Sequence, residues 1–155
     1  MATSYDMNII GAGPGGYVAA TRGAQLGLKV AIIEREHMGG ICLNWGCIPT
    51  KAMLRSSEIF HLMHRASEFG LSVDKINFDL EAVVKRSRGV ASQINSGISL
   101  LLNKTQIDVL MRNASITAKN HVTVETDKGI ITLQGQNIIL ATGARAREHP
   151  GTEAD

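Results

Sequence analysis

Cys42 and Cys47 are the only thiols of the chain, and four residues separate them in Gly39-Gly40-Ile41-Cys42-Leu43-Asn44-Trp45-Gly46-Cys47-Ile48-Pro49-Thr50-Lys51. Two thiols that cycle between dithiol and disulfide store two electrons. In a reducing compartment a lone close pair is more often catalytic or metal-binding than structural. On an ideal α-helix their Cα atoms would stand about 8.6 Å apart, beyond the roughly 7 Å that a disulfide tolerates. A bond between them therefore requires an irregular segment, and Gly46 is the residue that permits one. Cys47 is expected to open a helix, where the dipole lowers the pKa of a thiol. The bland alternative is two small buried side chains. A zinc site would need two further ligands from His37, His61 and His64, but two histidines three apart on a helix more often mark a half-solvated face, and no metal is expected. Lys51 is either a surface cation or, one turn inside a redox helix, a charge facing a bound cofactor.

A second constellation precedes the first. Gly11, Gly13 and Gly16 satisfy G-x-G-x-x-G, in which the first glycine permits a tight turn, the second lets a pyrophosphate approach the backbone and the third lets helix pack on strand. Pro14 and Gly15 complete the turn. The pattern alone is weak, because a glycine-rich βα connection needs no ligand. Here a strand precedes it, a helix follows it, and Glu34 stands 18 residues after Gly16, where a carboxylate accepts from ribose hydroxyls. The spacing points to a dinucleotide, with its phosphates at the helix N-terminus.

The elements that must position these residues follow from periodicity. Tyr5 to Ile10 reads as a strand, the small residues from Val18 to Leu26 as a helix ended by Gly27, and Lys29 to Ile33 as a second strand buried on both faces. After a glycine-bearing loop, Pro49 lies in the first turn of a helix running to about Ala66. A third helix has Asp79 as N-cap, a Phe78–Val83 staple, and Leu80, Val83, Val84, Ala91, Ile94, Ile98, Leu101 and Leu102 at three-and-four spacing. Five strands should follow, at Ile107 to Met111, Ala114 to Ala118, His121 to Glu125, Ile130 to Leu133 and Asn137 to Ala141, the middle three forming an antiparallel meander. The parallel sheet would then hold four strands where a doubly wound domain usually has at least five, and Gly151 to Asp155 adds no terminal element.

Composition narrows the classes. The 155 residues are 44% hydrophobic and 19% charged, with net charge +2, so the chain can build a core and carries no field for nucleic acid. Neither a membrane span nor a secretory signal is expected, and the cytoplasm is the expected location.

Together the two motifs are similar to those of the pyridine nucleotide-disulfide oxidoreductases whose active pair is Cys-x-x-x-x-Cys. Gly40 to Lys51 resembles the signature of that family's dihydrolipoamide dehydrogenases, and Ile138-Ile139-Leu140-Ala141-Thr142-Gly143-Ala144-Arg145 resembles their second flavin-binding segment. The resemblance covers the whole chain, with Trp45 larger than the residue many members carry. It implies an α/β, Rossmann-like FAD-binding domain: a parallel sheet with helices and an antiparallel meander. FAD would be held by Gly11, Gly13, Pro14, Gly15 and Gly16 at the pyrophosphate, by Glu34 at the ribose and by the backbone at Ala114 near the adenine. Gly40, Lys51, Ala141, Thr142 and Gly143 would complete the cofactor site. Cys42 and Cys47 would form a disulfide in the oxidised protein, Cys42 exchanging with a lipoyl disulfide and Cys47 facing the flavin.

Electrons would run from dihydrolipoyl groups through the cysteines and FAD to NAD. The implied partners are the lipoyl domain of 2-oxo acid dehydrogenase complexes and a second copy in a homodimer. The family's His-Glu acid-base pair is not among these residues, since His149-Pro150-Gly151 matches it only superficially. Residues 1–155 are thus expected to be the N-terminal part of the FAD domain, with the NAD and interface domains beyond it. A glutathione- or mercuric-reductase-like relative and a non-catalytic FAD-binding module are the alternatives, and Leu43-Asn44 favours lipoamide.

Overall fold

The computed structural model describes residues 3–145, 147 and 149–152, so the expectation for the end of the chain at 153–155 lies outside the described residues. Its elements are β1 (Thr3–Ile10), α1 (Pro14–Gln25), β2 (Val30–Glu34), α2 (Gly40–Asn44), α3 (Cys47–His64), a 3₁₀ turn (Ala66–Phe69), α4 (Leu80–Lys104), β3 (Asp108–Met111), β4 (Ala114–Ala118), β5 (His121–Thr126) and β6 (Gly129–Leu140). They form one six-stranded sheet in the order β3-β2-β1-β6-β5-β4. The first four strands in that order are mutually parallel, and β5 and β4 continue the sheet antiparallel.

β2 explains the two-sided core. Its side chains alternate, so Val30 and Ile32 join Ile9, Ala20 of α1 and Ile98 and Leu102 of α4 on one face. Ala31 and Ile33 join Val122, Val124 and Leu133 on the other. A strand covered on both faces has no polar side, which is why its sequence is a continuous apolar run. Tyr5 closes the second cluster and donates to the Asp108 carboxylate at 2.8 Å, tying β1 to β3 at the sheet edge. Burial, with that carboxylate beside it, pushes the phenol up to about 12.

α4 begins as its cap residue demands. Asp79 Oδ1 accepts from the Ala82 amide at 3.1 Å, one of the donors a helix start leaves without a partner. Phe78 is 70% exposed, and its ring meets Phe60 of α3 edge-on at 5.7 Å. Of the apolar positions at helical spacing, Ala91, Ile98 and Leu102 are buried, while Leu80, Ile94 and Leu101 are exposed. Ser87 is buried too and donates to the Pro49 carbonyl at 3.2 Å, joining α4 to α3. Gly27 ends α1 in the left-handed region, with φ 84°.

Three expectations need correction. The two strands expected at Ile130 to Leu133 and Asn137 to Ala141 are one, β6, which ends at Leu140, because Gln134-Gly135-Gln136 is not a turn. β6 changes neighbours there: residues 129–134 pair with β5 and 133–140 with β1. Gly135 marks a close approach, since a Cβ on it would lie 2.5 Å from the Asn8 amide nitrogen. The glycine-bearing loop after β2 contains a short helix, α2, whose five residues are too few to show a period. The helix opened by Cys47 ends at His64, where a 3₁₀ turn takes over instead of the α-helix reaching Ala66.

Candidate functional site

The glycine-rich turn hangs between two strands. Gly11 donates its amide to the Ile33 carbonyl at 2.7 Å, and Ala141 donates to the Ile10 carbonyl at 2.8 Å, so the ends of β1, β2 and β6 meet there. A Cβ on Gly11 would overlap the Ala141 backbone, and one on Gly16 would overlap the Gly11 carbonyl oxygen. Gly13 and Gly15 differ: a Cβ on either would find its nearest neighbour at 3.9 and 3.8 Å. Two glycines thus close the turn and two leave room in front of it, where the N-terminus of α1 presents its partial positive charge. Glu34 is braced as well as placed: Oε2 accepts from the Ala12 amide at 2.8 Å and Oε1 from the Glu36 amide at 2.9 Å.

The cysteine segment is irregular where the spacing requires it. α2 stops at Trp45, Gly46 takes φ −114° and ψ −117°, and α3 begins at Cys47. Before α2 the chain turns through Gly39 and Gly40, both in the left-handed region at φ 85° and 60°. Gly39 donates to the Ala12 carbonyl at 2.9 Å, and a Cβ on Gly40 would come within 2.8 Å of Gly13 Cα. The thiol segment therefore packs backbone to backbone on the phosphate turn, which side chains at these positions would prevent.

Cys42 is half-buried, Cys47 is exposed, and both are free thiols. A hydrogen bond with the Cys47 side chain, then burial, pushes the Cys42 thiol up, while the positive charge of Lys51 acts in the opposite direction. Trp45 is 50% exposed and meets the His37 ring edge-on at 5.4 Å, outside the pair.

One groove joins these parts. Its cavity volume is about 1170 Å³, and its walls include Gly11, Gly13, Pro14, Gly15, Glu34 and Gly40, both cysteines, and Ala114, Ala141, Thr142 and Gly143. Gly16 lies behind the wall, under the Gly11 carbonyl. Lys51 does not line the groove; it is exposed on α3, within electrostatic reach of Cys42. His61 and His64 are in the last turn of α3, and no group of three metal-ligating side chains occurs among the described residues.

The rim adds charges that spacing did not pick out. Arg145 donates to Glu36 at 2.7 Å across the mouth, and Arg112, also on the wall, pairs with Asp127. Glu36 and Arg145 are 109 residues apart, and no local pattern couples them. The space before Gly13 and Gly15, the helix N-terminus and the carboxylate at the end of β2 suit a dinucleotide in type and order.

Residues 5–155 match the family described as pyridine nucleotide-disulphide oxidoreductase. The chain belongs to that family, and its sheet and helices are the Rossmann-like FAD-binding fold of flavoprotein disulfide reductases. Among curated relatives it is 49% identical to a dihydrolipoyl dehydrogenase of Zymomonas mobilis, over all of this chain and 34% of that protein. A dihydrolipoyl dehydrogenase of Rhizobium etli is 48% identical, again over the whole chain and 36% of the relative. The HOCl-induced flavoprotein disulfide reductase RclA from Escherichia coli, solved as a Cu(II) complex, superposes with a TM-score of 0.80 at 26% identity, covering 97% of this chain and 31% of that one. The chain thus spans about a third of the length of the relatives it matches. No helix among the described residues is long and apolar enough to cross a membrane.

Proposed function

We propose that this chain is the FAD- and thiol-bearing part of a dihydrolipoyl dehydrogenase, which oxidises protein-bound dihydrolipoyl groups with NAD. The observation that carries the reading is the shared groove: both thiols line the same wall as the glycine turn. FAD would be held by Gly11, Gly13, Pro14 and Gly15 at its phosphates, with Gly16 closing the turn behind them, by Glu34 at a ribose and by Ala114 near the adenine. Gly40, Ala141, Thr142 and Gly143 would bound the rest, with Lys51 a positive charge outside the groove wall, within reach of Cys42. When bound, FAD supplies a two-electron acceptor that passes reducing equivalents on to NAD.

The chain's own chemistry is thiol–disulfide exchange. A dihydrolipoyl thiolate attacks the Cys42–Cys47 disulfide at Cys42; the mixed disulfide is resolved by the second lipoyl thiol, leaving a cyclic lipoyl disulfide and two reduced cysteines. Two electrons and two protons leave the substrate. The lipoyl-domain partner, the homodimer, the cytoplasmic location and the NAD and interface domains beyond residue 155 belong to the same reading, supported by the name and length of the relatives.

The test is an assay of the full-length protein for lipoamide-dependent NADH turnover, with and without Cys42→Ser. The variant should lose turnover and keep its flavin absorbance. Normal turnover in Cys42→Ser would remove the exchange role, and glutathione-dependent turnover in place of lipoamide would redirect the substrate.

A further inference from the structure

Asn44 lies between the two cysteines, and its side chain is held on three sides. Its Nδ2 donates to the Met38 carbonyl at 2.9 Å and the Gly40 carbonyl at 2.8 Å, and its Oδ1 accepts from Asn95 Nδ2 at 2.7 Å. Carbonyls only accept, so they fix which end of the Asn44 amide is nitrogen and leave Asn95 as the donor to the other end. Asn95 belongs to α4, 51 residues further along the chain. Its own Oδ1 is buried without a hydrogen-bond partner, lying where a Cβ on Gly39 would come within 2.5 Å. A second tie runs from Arg88 of α4, whose Nη1 donates to the Asn44 carbonyl at 2.8 Å. α2, which carries Cys42, has only five residues, too few to hold a helix by its own hydrogen bonds. Gly39 and Gly40 fix the start of α2 and buried Leu43 anchors its middle, while its C-terminal end, next to Gly46 and Cys47, is held through Asn44.

We infer that Asn95 is a positioning residue which, through Asn44, holds Cys42 beside Cys47 and so sets how readily the two thiols close to a disulfide. The inference rests on the redox reading above. Closing the pair forms one S–S bond and releases two electrons and two protons to an acceptor disulfide, and its equilibrium includes the cost of bringing the sulfurs together. A grip on α2 meets that cost in advance. Loosening it lowers the effective concentration of one thiol at the other, so the disulfide becomes easier to reduce.

The experiment uses the full-length protein equilibrated in mixtures of reduced and oxidised dithiothreitol, quenched by alkylation and read by mass. Asn95→Asp keeps the side-chain shape but turns an oxygen toward Asn44 Oδ1. Its disulfide-formation constant should fall about tenfold, a potential about 30 mV less negative. Arg88→Ala should shift it less, in the same direction, and decides the matter if circular dichroism shows Asn95→Asp to be misfolded. Gln93→Ala, exposed on the same helix, should match the wild type. Constants equal to or above the wild-type value in folded variants overturn the role of Asn95 and leave the redox reading intact. A wild type that forms no disulfide at any ratio overturns that reading, and this inference with it.

Discussion

A methyl group added at Gly13 meets nothing closer than 3.9 Å, whereas one added at Gly16 overlaps the carbonyl oxygen of Gly11. Gly13→Ala should therefore leave the unfolding midpoint unchanged and weaken FAD retention, because the added group stands where phosphate must approach. Gly16→Ala should lose about 3 kcal/mol or more, because backbone has to move to admit it. Denaturant unfolding beside flavin absorbance after purification separates the two. The thiols give a second contrast. The Cys47 hydrogen bond holds the Cys42 proton on, so in the reduced protein the alkylation rate of Cys42 should rise only at a pH above the ordinary thiol range. Cys47→Ala removes the largest cause and should bring that midpoint down. An identical pH profile in the variant would show that Cys47 does not govern its neighbour.

At the scale of elements, α4 was legible and α2 was not. α4 has 25 residues, a cap and a repeating apolar stripe, so each turn repeats the signal. α2 has neither a cap side chain nor length, and its conformation is imposed by Gly39 and Gly40 before it and by α4 alongside. Asp79→Ala should cost about 1 kcal/mol of stability, measurable as a shift of the urea midpoint without a change of slope. No change at all would mean that the first turn of α4 is held by its packing alone. β6 was misread for a related reason. A strand that exchanges one partner for another along its length carries both patterns in sequence, and the polar residues between them resemble a turn.

The whole molecule leaves apolar surface uncovered on both sides. Ile130 and Leu140 of β6 are 72% and 64% exposed, and Leu54, Phe69, Leu71 and Leu80 are exposed around the α3–α4 pair. Apolar surface of this extent marks sites that other protein covers, and the edge strands β3 and β4 present unpaired backbone groups. The isolated 155-residue chain should therefore self-associate, seen as concentration-dependent sedimentation. On the proposed reading, which puts the acid-base pair outside these residues, it should also give no NAD-dependent oxidation of dihydrolipoamide even with FAD added, because such a group is worth about 10² to 10⁴ in rate. Robust turnover by a monomer of these residues would contradict both expectations.

Local sequence is enough to specify the turn at Gly11–Gly16, the irregular break at Gly46, the cap at Asp79 and which segments are strands of the parallel part of the sheet, because each rests on backbone conformation or periodicity within a few residues. All the residues it singles out for the site except Gly16 and Lys51 line the groove, since they sit at strand ends and turns with recognisable chemistry, but the rim charges Glu36, Arg112 and Arg145 are not among them. Only the tertiary structure decided which distant groups meet: Asn44 with Asn95, Glu36 with Arg145, and Tyr5 with Asp108, at separations of 51, 109 and 103 residues. Those pairs exist because parallel strands need long crossovers, which bring residues far apart in the chain to the same end of the sheet or into the helices packed over it. The partner is then chosen by strand order and register, which no local spacing encodes.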